Sequence, residues 1–327
     1  MLVLTRTETL ALADLPACVI AVREAFGAYG SGGSLGLSRV HVDGLAGGVF
    51  HLTAGGIHAG PDAGTVGLKL NGRFPPAGGV GAQRVAGVVL LCDAATGTPL
   101  ALLDSMVVTS IRTAAVTAIV VDLLAREHAS TALLVGAGRQ GRGQIDALRA
   151  SGRISHVAIF DLVPAQSGEL ADYARAAGLQ AETVADVRSA AAASDVIVTI
   201  TPAREPIVSA ADISPGALVV ALGADAPGKQ ELDVELLARA RVVVDILEQA
   251  ASSGELQHAL ATGVLAREDV HAELGQIVAG TRPGRTSDDE IFVFDGTGTA
   301  LQDIAAARLL LDEARLRGLG IEIAIAS

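Results

Sequence analysis

Apolar residues recur along this chain in two rhythms, and the change from one to the other divides it. Near the amino terminus, Ala17, Ile20, Ala21 and Ala25 fall at helical spacing between about Asp14 and Tyr29, with Asp14 and Pro16 as a start signal. After a glycine-rich break at Gly30 to Gly36 come short strand-like runs at 39–42, 49–53 and 66–71, then a hairpin of 85–92 with 99–103, with the segment 74–83 read as a loop. Strands in succession without helices between them predict an antiparallel sheet. A helix is predicted over 109–127, capped by Thr109 or Ser110. From Thr131 onward the rhythm is different. Continuous apolar runs at 131–135, 157–160, 195–200, 217–222, 241–245 and 291–294 are separated by amphipathic segments or loops, the pattern of buried parallel strands in an α/β domain. A last helix is predicted over 300–317.

The junction after the first of these runs carries a motif. Val135 leads into Gly136, Gly138 and Gly141, a GxGxxG that follows a strand and opens a helix over 139–150. In that setting Gly136 permits the tight turn, Gly138 lets a pyrophosphate approach the backbone, and Gly141 allows the helix to pack on its strand. The phosphates would lie at the positive end of the helix, with Arg139 and Gln140 beside them. Asp161 closes the next apolar run, where an acid hydrogen-bonds an adenine-ribose 2′-hydroxyl and repels a 2′-phosphate; NAD is therefore expected rather than NADP. Thr201 stands at the carboxyl end of another strand and Gly223 opens the loop after the next, both on the ligand-facing edge of such a sheet.

Strand parity selects further residues. In 66–71, Val66, Leu68 and Leu70 face one side, while Gly67, Lys69 and Asn71 face the other. Arg112 is placed in the first turn of its helix, where a cation opposes the dipole unless an anion is present. Asp225 and Lys229 flank a proline-glycine turn directly after a strand, in the region expected to face a nicotinamide ring.

Composition sharpens some of this. The chain has 327 residues, enough for two domains, and a net charge of −12 with no basic cluster, which argues against nucleic acid as a partner. No uninterrupted apolar run reaches the length of a membrane span, and no signal-peptide pattern begins the chain, so a cytosolic protein is expected. Cys18 and Cys92 sit in apolar runs and are expected as buried free thiols. The seven histidines show no ligand spacing, and no metal site is expected. Of 24 basic residues only Lys69 and Lys229 are lysine, and Asn71 is the only asparagine. A lysine can be tuned to gain or lose a proton as arginine cannot, which draws attention to both survivors.

With these pieces placed, the chain resembles the ornithine cyclodeaminase/mu-crystallin family. The matching stretches are GLKLNGRFP (67–75), TGTPLALLDSMVVTSIRTAA (96–115), VGAGRQG (135–141), GADAPGKQELD (223–233) and FDGTGTALQD (294–303). The resemblance implies an α/β protein in two parts. An α+β substrate-binding and dimerisation domain would span 1–118, completed by 300–327, and a Rossmann NAD-binding domain would span 119–299. It implies that Lys69 contacts the substrate's carboxylate and imine region, that Arg112 lies near substrate and cofactor phosphate, and that Asp225 handles the proton on the substrate nitrogen. Arg39 matches a second carboxylate-binding arginine less closely, Thr297 falls at a substrate-pocket position, and Lys229 joins the cofactor contacts. Arg84 stands where the family often has a threonine near the cofactor, and Arg73 and Arg84 leave a dicarboxylic imine open as substrate.

The activity implied is that of an NAD(H)-dependent oxidoreductase, alanine dehydrogenase-like or imine reductase-like, interconverting a small 2-imino or 2-oxo acid and its amino acid in a homodimer. Two other readings stay open at this point: ornithine cyclodeamination with a retained NAD, and a non-catalytic ligand-binding protein of mu-crystallin type.

Overall fold

The computed structural model describes residues 1–60, 63–76 and 84–325. The chain divides into two compact units, 1–115 with 299–327, and 116–298.

In the first unit, β1 (Leu2–Val3), α1 (Arg6–Ala11) and α2 (Leu15–Gly30) precede an antiparallel meander. Its strands are β2 (Ser34–Asp43), β3 (Val49–Gly60), β4 (Ala63–Phe74), β5 (Arg84–Asp93) and β6 (Pro99–Asp104). Asp14 caps α2, its carboxylate accepting the Ala17 N–H at 3.0 Å, as the sequence implies. The meander strands are much longer than their apolar alternation indicates, because glycines and polar residues at both ends still complete backbone ladders. The segment expected to be a loop is divided: Phe74 and Arg84 pair across β4 and β5, and 77–83 lie outside the described residues.

Helix α3 (Ser105–Leu124) follows β6 with no intervening loop and starts four residues before the expected position. Asp104, not Thr109 or Ser110, caps it by accepting the Val107 N–H at 2.9 Å. Arg112 thus lies beyond the first turn, and the argument from the helix dipole does not apply to it. The β-branched Val107 and Val108 are weak helix formers and left the first turn without a clear helix signal. By length and composition α3 could cross a bilayer, but 72% of its most apolar window is buried inside the protein.

The second unit is built on parallel strands. In chain order they and their helices are β7 (Thr131–Val135), α4 (Gly141–Ala150), β8 (His156–Phe160), α5 (Pro164–Ala176), β9 (Gln180–Thr183), α6 (Val187–Ala192), β10 (Val196–Thr199), β11 (Arg204–Val208), β12 (Leu218–Ala221) and β13 (Gln230–Leu232). They continue through α7 (Val234–Arg239), β14 (Arg241–Val244), α8 (Leu247–Ser253), α9 (Leu256–Thr262), β15 (Ala272–Glu273), α10 (Leu274–Val278) and β16 (Phe292–Asp295). The main sheet runs β15-β14-β16-β12-β10-β7-β8-β9 and is parallel throughout, while β11 and β13 pair separately. Strand order reverses between β7 and β10, which opens a crevice at their carboxyl ends. Four-residue strands such as β10 and β12 are buried along their whole length, which is why they read as unbroken apolar runs.

The chain then returns to the first unit as α11 (Ala300–Arg317) and β17 (Ile321–Glu322), completing the seven-stranded sheet β17-β1-β6-β5-β4-β3-β2. Helix α11 lies on one face of that sheet. A Cβ at Gly67 would come within 2.7 Å of the Ile304 side chain, so the glycine is what allows this approach.

Candidate active site

Register fixes which residues of the meander share a face. Arg39, Thr53, Lys69, Val89 and Leu103 form one row across β2 to β6, and Val89 and Leu103 are fully buried. The face carrying Lys69 is therefore the one α11 covers. Val66, on the apolar side of β4, is 40% exposed, and Val40, Val42 and Val88 on the same side are also exposed. The apolar parity of β4 points outward and the polar parity inward, the reverse of an ordinary half-buried strand.

Lys69 is buried, and its Nζ lies 2.6 Å from Asp303 Oδ2. Arg112 Nε faces the other oxygen of Asp303 at 3.1 Å, and its Nη1 donates to Gln302 Oε1 at 2.8 Å. Thr53 Oγ1 donates to Asp303 Oδ2 at 3.2 Å. Burial pulls the Lys69 ammonium down to about 8; Asp303 opposes this, while the charges of Arg112 and Arg39 add to it. Thus Arg39, Lys69 and Arg112, expected as anchors for a substrate carboxylate, are gathered in one unit. Asp303, which the motif FDGTGTALQD contains but which was not singled out, joins two of them. Its signal was periodicity: an acid stands among Ala300, Ile304, Ala307 and Leu311 on the buried stripe of α11.

Arg73 is two rows from Lys69 on the same face. Arg84 pairs with Phe74, an odd number of residues from the Lys69 row in an unbroken register, and so belongs to the opposite face. It is exposed and does not stand with the cations around Lys69.

In the second unit, the crevice at β7 and β10 is a cavity of about 970 Å³ lined by Gly136, Gly138, Asp161, Val163, Arg188 and Thr201 among others. Gly136 has φ 109°, and a Cβ there would meet the Ile200 carbonyl oxygen at 2.7 Å; the turn requires glycine twice over. At Gly138 a Cβ would meet no protein atom within 4 Å, leaving an open approach to the backbone. Gly141 makes room for Leu170 of α5, at 2.8 Å from its would-be Cβ, so the close packing it permits is against the neighbouring helix. No side chain caps α4, Arg139 is exposed, and Gln140 Oε1 is buried without a partner. Asp161 accepts the Ala137 N–H at 2.7 Å and the Val163 N–H at 2.8 Å, tying the end of β8 to the glycine turn. Open N–H groups at a helix start, an acid at the end of β8 and a long cleft fit a dinucleotide.

The loop after β12 is held from beneath. Buried Glu231 accepts from the Thr201 N–H at 2.6 Å, the Thr201 hydroxyl at 2.7 Å, the Thr199 hydroxyl at 2.8 Å and the Gly223 N–H at 2.8 Å. Lys229 is also buried, its Nζ donating to Asp225 Oδ1 at 2.5 Å and to the Gly223 carbonyl at 3.0 Å. Its ammonium staples its own loop. Asp225 is more open, with 39% of its side chain exposed. Thr297 donates to Asp245 Oδ1 at 2.8 Å and accepts from Gln249 at 2.6 Å, which engages its hydroxyl within the second unit.

Cys18 is buried, with its thiol pushed up to about 12 by desolvation, whereas Cys92 is only half-buried, contrary to expectation. Among the described residues no cluster of His, Cys, Asp or Glu could hold a metal ion.

The sequence model of one family, described as the ornithine cyclodeaminase/mu-crystallin family, matches residues 1–317. The chain belongs to that family. Within the ornithine cyclodeaminase/mu-crystallin family it is similar to the alanine dehydrogenase of Archaeoglobus fulgidus, 37% identical over 326 residues, which is 98% of each chain. Among solved structures it is similar to an archaeal alanine dehydrogenase dimer with bound NAD, with a TM-score of 0.92, 36% identity, and coverage of 100% of this chain and 99% of that one. It is also similar to the iminosuccinate reductase of Paracoccus denitrificans in complex with NAD+, with a TM-score of 0.90, 33% identity and 99% of each chain covered.

Proposed function

We propose that this family member is an NAD-dependent oxidoreductase that interconverts a small 2-imino or 2-oxo acid and its amino acid. The observation that carries this reading is the buried pair of cations, Lys69 and Arg112, sharing Asp303 on the covered face of the sheet. Two desolvated cations are costly to fold around unless an anion completes them, and a substrate carboxylate is that anion. The second unit supplies what an anion site alone lacks, a cleft fitted to a dinucleotide. Relatives that match nearly the whole chain are named as an alanine dehydrogenase and an iminosuccinate reductase.

When bound, the nicotinamide supplies or accepts the hydride. The chain's own residues do the rest. Gly136, Gly138 and the N–H groups opening α4 hold the pyrophosphate, and Asp161 takes the ribose hydroxyls and disfavours a 2′-phosphate. Thr201 and Gly223, fixed by Glu231, shape the cleft at the strand ends. Lys69, Arg112 and Arg39 orient the substrate by its carboxylate, which turns a two-body encounter into a positioned one. Asp225 moves the proton at the substrate nitrogen, and Lys229 beside it fixes its direction.

The unit of function is a homodimer. The outer face of the meander exposes Leu35, Val40, Val42, Val66 and Val88, and a second copy would cover them.

The test is oxidation of NADH against a panel of 2-oxo acids with ammonia, together with cyclic imines. Stoichiometric NADH loss with one member is expected. Ammonia release from ornithine without net NADH change would instead establish cyclodeamination, and silence in both would leave a binding protein.

A further inference from the structure

Lys69 is the least comfortable charge in the described part of the first unit. It lies on the covered face of β4, in the row that carries Arg39 across two strands, and Arg112 enters the same space from α3. Burial, Arg112 and Arg39 all act to remove its proton, and the group acting to keep it there is Asp303. The geometry of that carboxylate is over-determined. Asp303 lies in the first turn of α11, where the helix dipole favours an ionised acid. Oδ2 receives Lys69 at 2.6 Å and the Thr53 hydroxyl at 3.2 Å, and Oδ1 faces Arg112 at 3.1 Å. Gln302, one residue earlier on the same helix, accepts from Arg112 as well. Consecutive residues of one helix turn thus hold both cations.

We propose that Asp303 is a positioning residue of the reaction: it keeps Lys69 an ammonium ion and sets the spacing of Lys69 and Arg112 to fit one carboxylate group. The use of that spacing rests on the function proposed above; the hold of Asp303 on Lys69 does not. Asp303 acts through the two cations and needs no contact with the substrate. Without it, two buried cations face each other and Lys69 relieves the repulsion by losing its proton, which removes one cation of the carboxylate anchor.

The chain's composition makes this directly measurable, because Lys69 and Lys229 are its only lysines. Protein labelled with 13C at lysine Cε gives two side-chain signals that titrate, and Lys229→Arg assigns them. In the wild type the Lys69 signal is expected to titrate near the depressed value of about 8. In Asp303→Asn its midpoint falls by about one pH unit or more, while Asp303→Glu restores most of the loss. In the kinetic arm, the KM of Asp303→Asn for the 2-oxo or imino acid, relative to wild type, is raised about twofold at neutral pH and approaches about tenfold above about pH 8, and the two converge toward about pH 6 as Lys69 regains its proton. NADH affinity stays unchanged. If Asp303→Asn does not fold, Asp303→Ser, which is smaller and also removes the carboxylate, takes its place in both arms.

An unmoved Lys69 midpoint in a folded variant that lacks the carboxylate overturns the proposal, and so does a KM raised equally at every pH. A shifted midpoint in a chain that turns over none of these acids supports the hold of Asp303 on Lys69 and overturns the reductase reading instead.

Discussion

Glu231 holds Thr201 from below, accepting both its backbone N–H at 2.6 Å and its hydroxyl at 2.7 Å, while its second oxygen takes the Gly223 N–H. One buried carboxylate therefore joins the loops that follow β10 and β12, on the edge of the sheet where the dinucleotide cleft opens. Glu231→Gln replaces an acceptor oxygen with an NH2 group among donors. Loss of charge-assisted bonds of this kind costs about 2 to 4 kcal/mol. Thermal unfolding should show a clear drop in Tm, and fluorescence titration a weaker affinity for NADH. Unchanged values of both would remove Glu231 from the account.

The same edge stores further carboxyl groups, and they give the fold a pH dependence. Burial pushes Asp295 up to about 7, and burial, then the charges of Asp295 and Glu231, pushes Glu255 up to about 9. Both acids have folded values above their unfolded ones, so the folded state binds more protons. Their contribution to stability is complete below the ordinary carboxylate range and is lost as pH rises through about 7 and then about 9. Urea midpoints measured from mildly acidic to alkaline pH should decline across that window, and Asp295→Asn should flatten its lower part. A midpoint that climbs from neutral to alkaline pH would contradict this.

Gly138 separates binding from folding. Since a Cβ there meets no protein atom within 4 Å, Gly138→Ala should leave Tm nearly unchanged. It should nevertheless weaken NADH by about tenfold or more, because the added methyl group occupies the space where the pyrophosphate meets the backbone. Calorimetry of unfolding and of NADH binding on the same preparation checks both halves.

On the proposed reading Asp161 selects the cofactor, but it also has a structural part. It accepts N–H groups from Ala137 and Val163 as well as offering its oxygens to a ribose. Asp161→Ala should therefore weaken NADH strongly and NADPH less, with some loss common to both from a loosened glycine turn. Equal losses for the two cofactors, measured by fluorescence titration, would reduce Asp161 to a structural residue.

How far the sequence carries can be seen residue by residue. The parallel half was legible because buried strands such as β10 and β12 are unbroken apolar runs, and glycines at fixed spacing reported a turn with steric demands. The inward direction of Lys69 was legible only as shared parity with Gly67 and Asn71. That its polar side is the covered one follows from α11, which approaches from more than two hundred residues away and whose packing no local pattern reports. Glu231 and Asp245 have no local signature: an acid in a strand or loop looks solvated until its distant partners are placed around it, whereas Asp303 is marked by its place on the buried stripe of α11. The first turn of α3 gave no helix signal because the β-branched Val107 and Val108 stand in it, while Asp104 supplies the cap from the end of β6.

The central claim is net hydride transfer to a carbon bearing nitrogen and a carboxylate. Its most direct test follows deuterium from NADH labelled at C4 of the nicotinamide ring on the transferred face, in the presence of ammonia and the 2-oxo acid that consumes most NADH. The account predicts one deuterium at C2 of the amino acid product by mass spectrometry, and loss of that product in Asp225→Asn with NADH binding retained. Amino acid formed without deuterium, or NADH left intact with every acid of the panel, would contradict it.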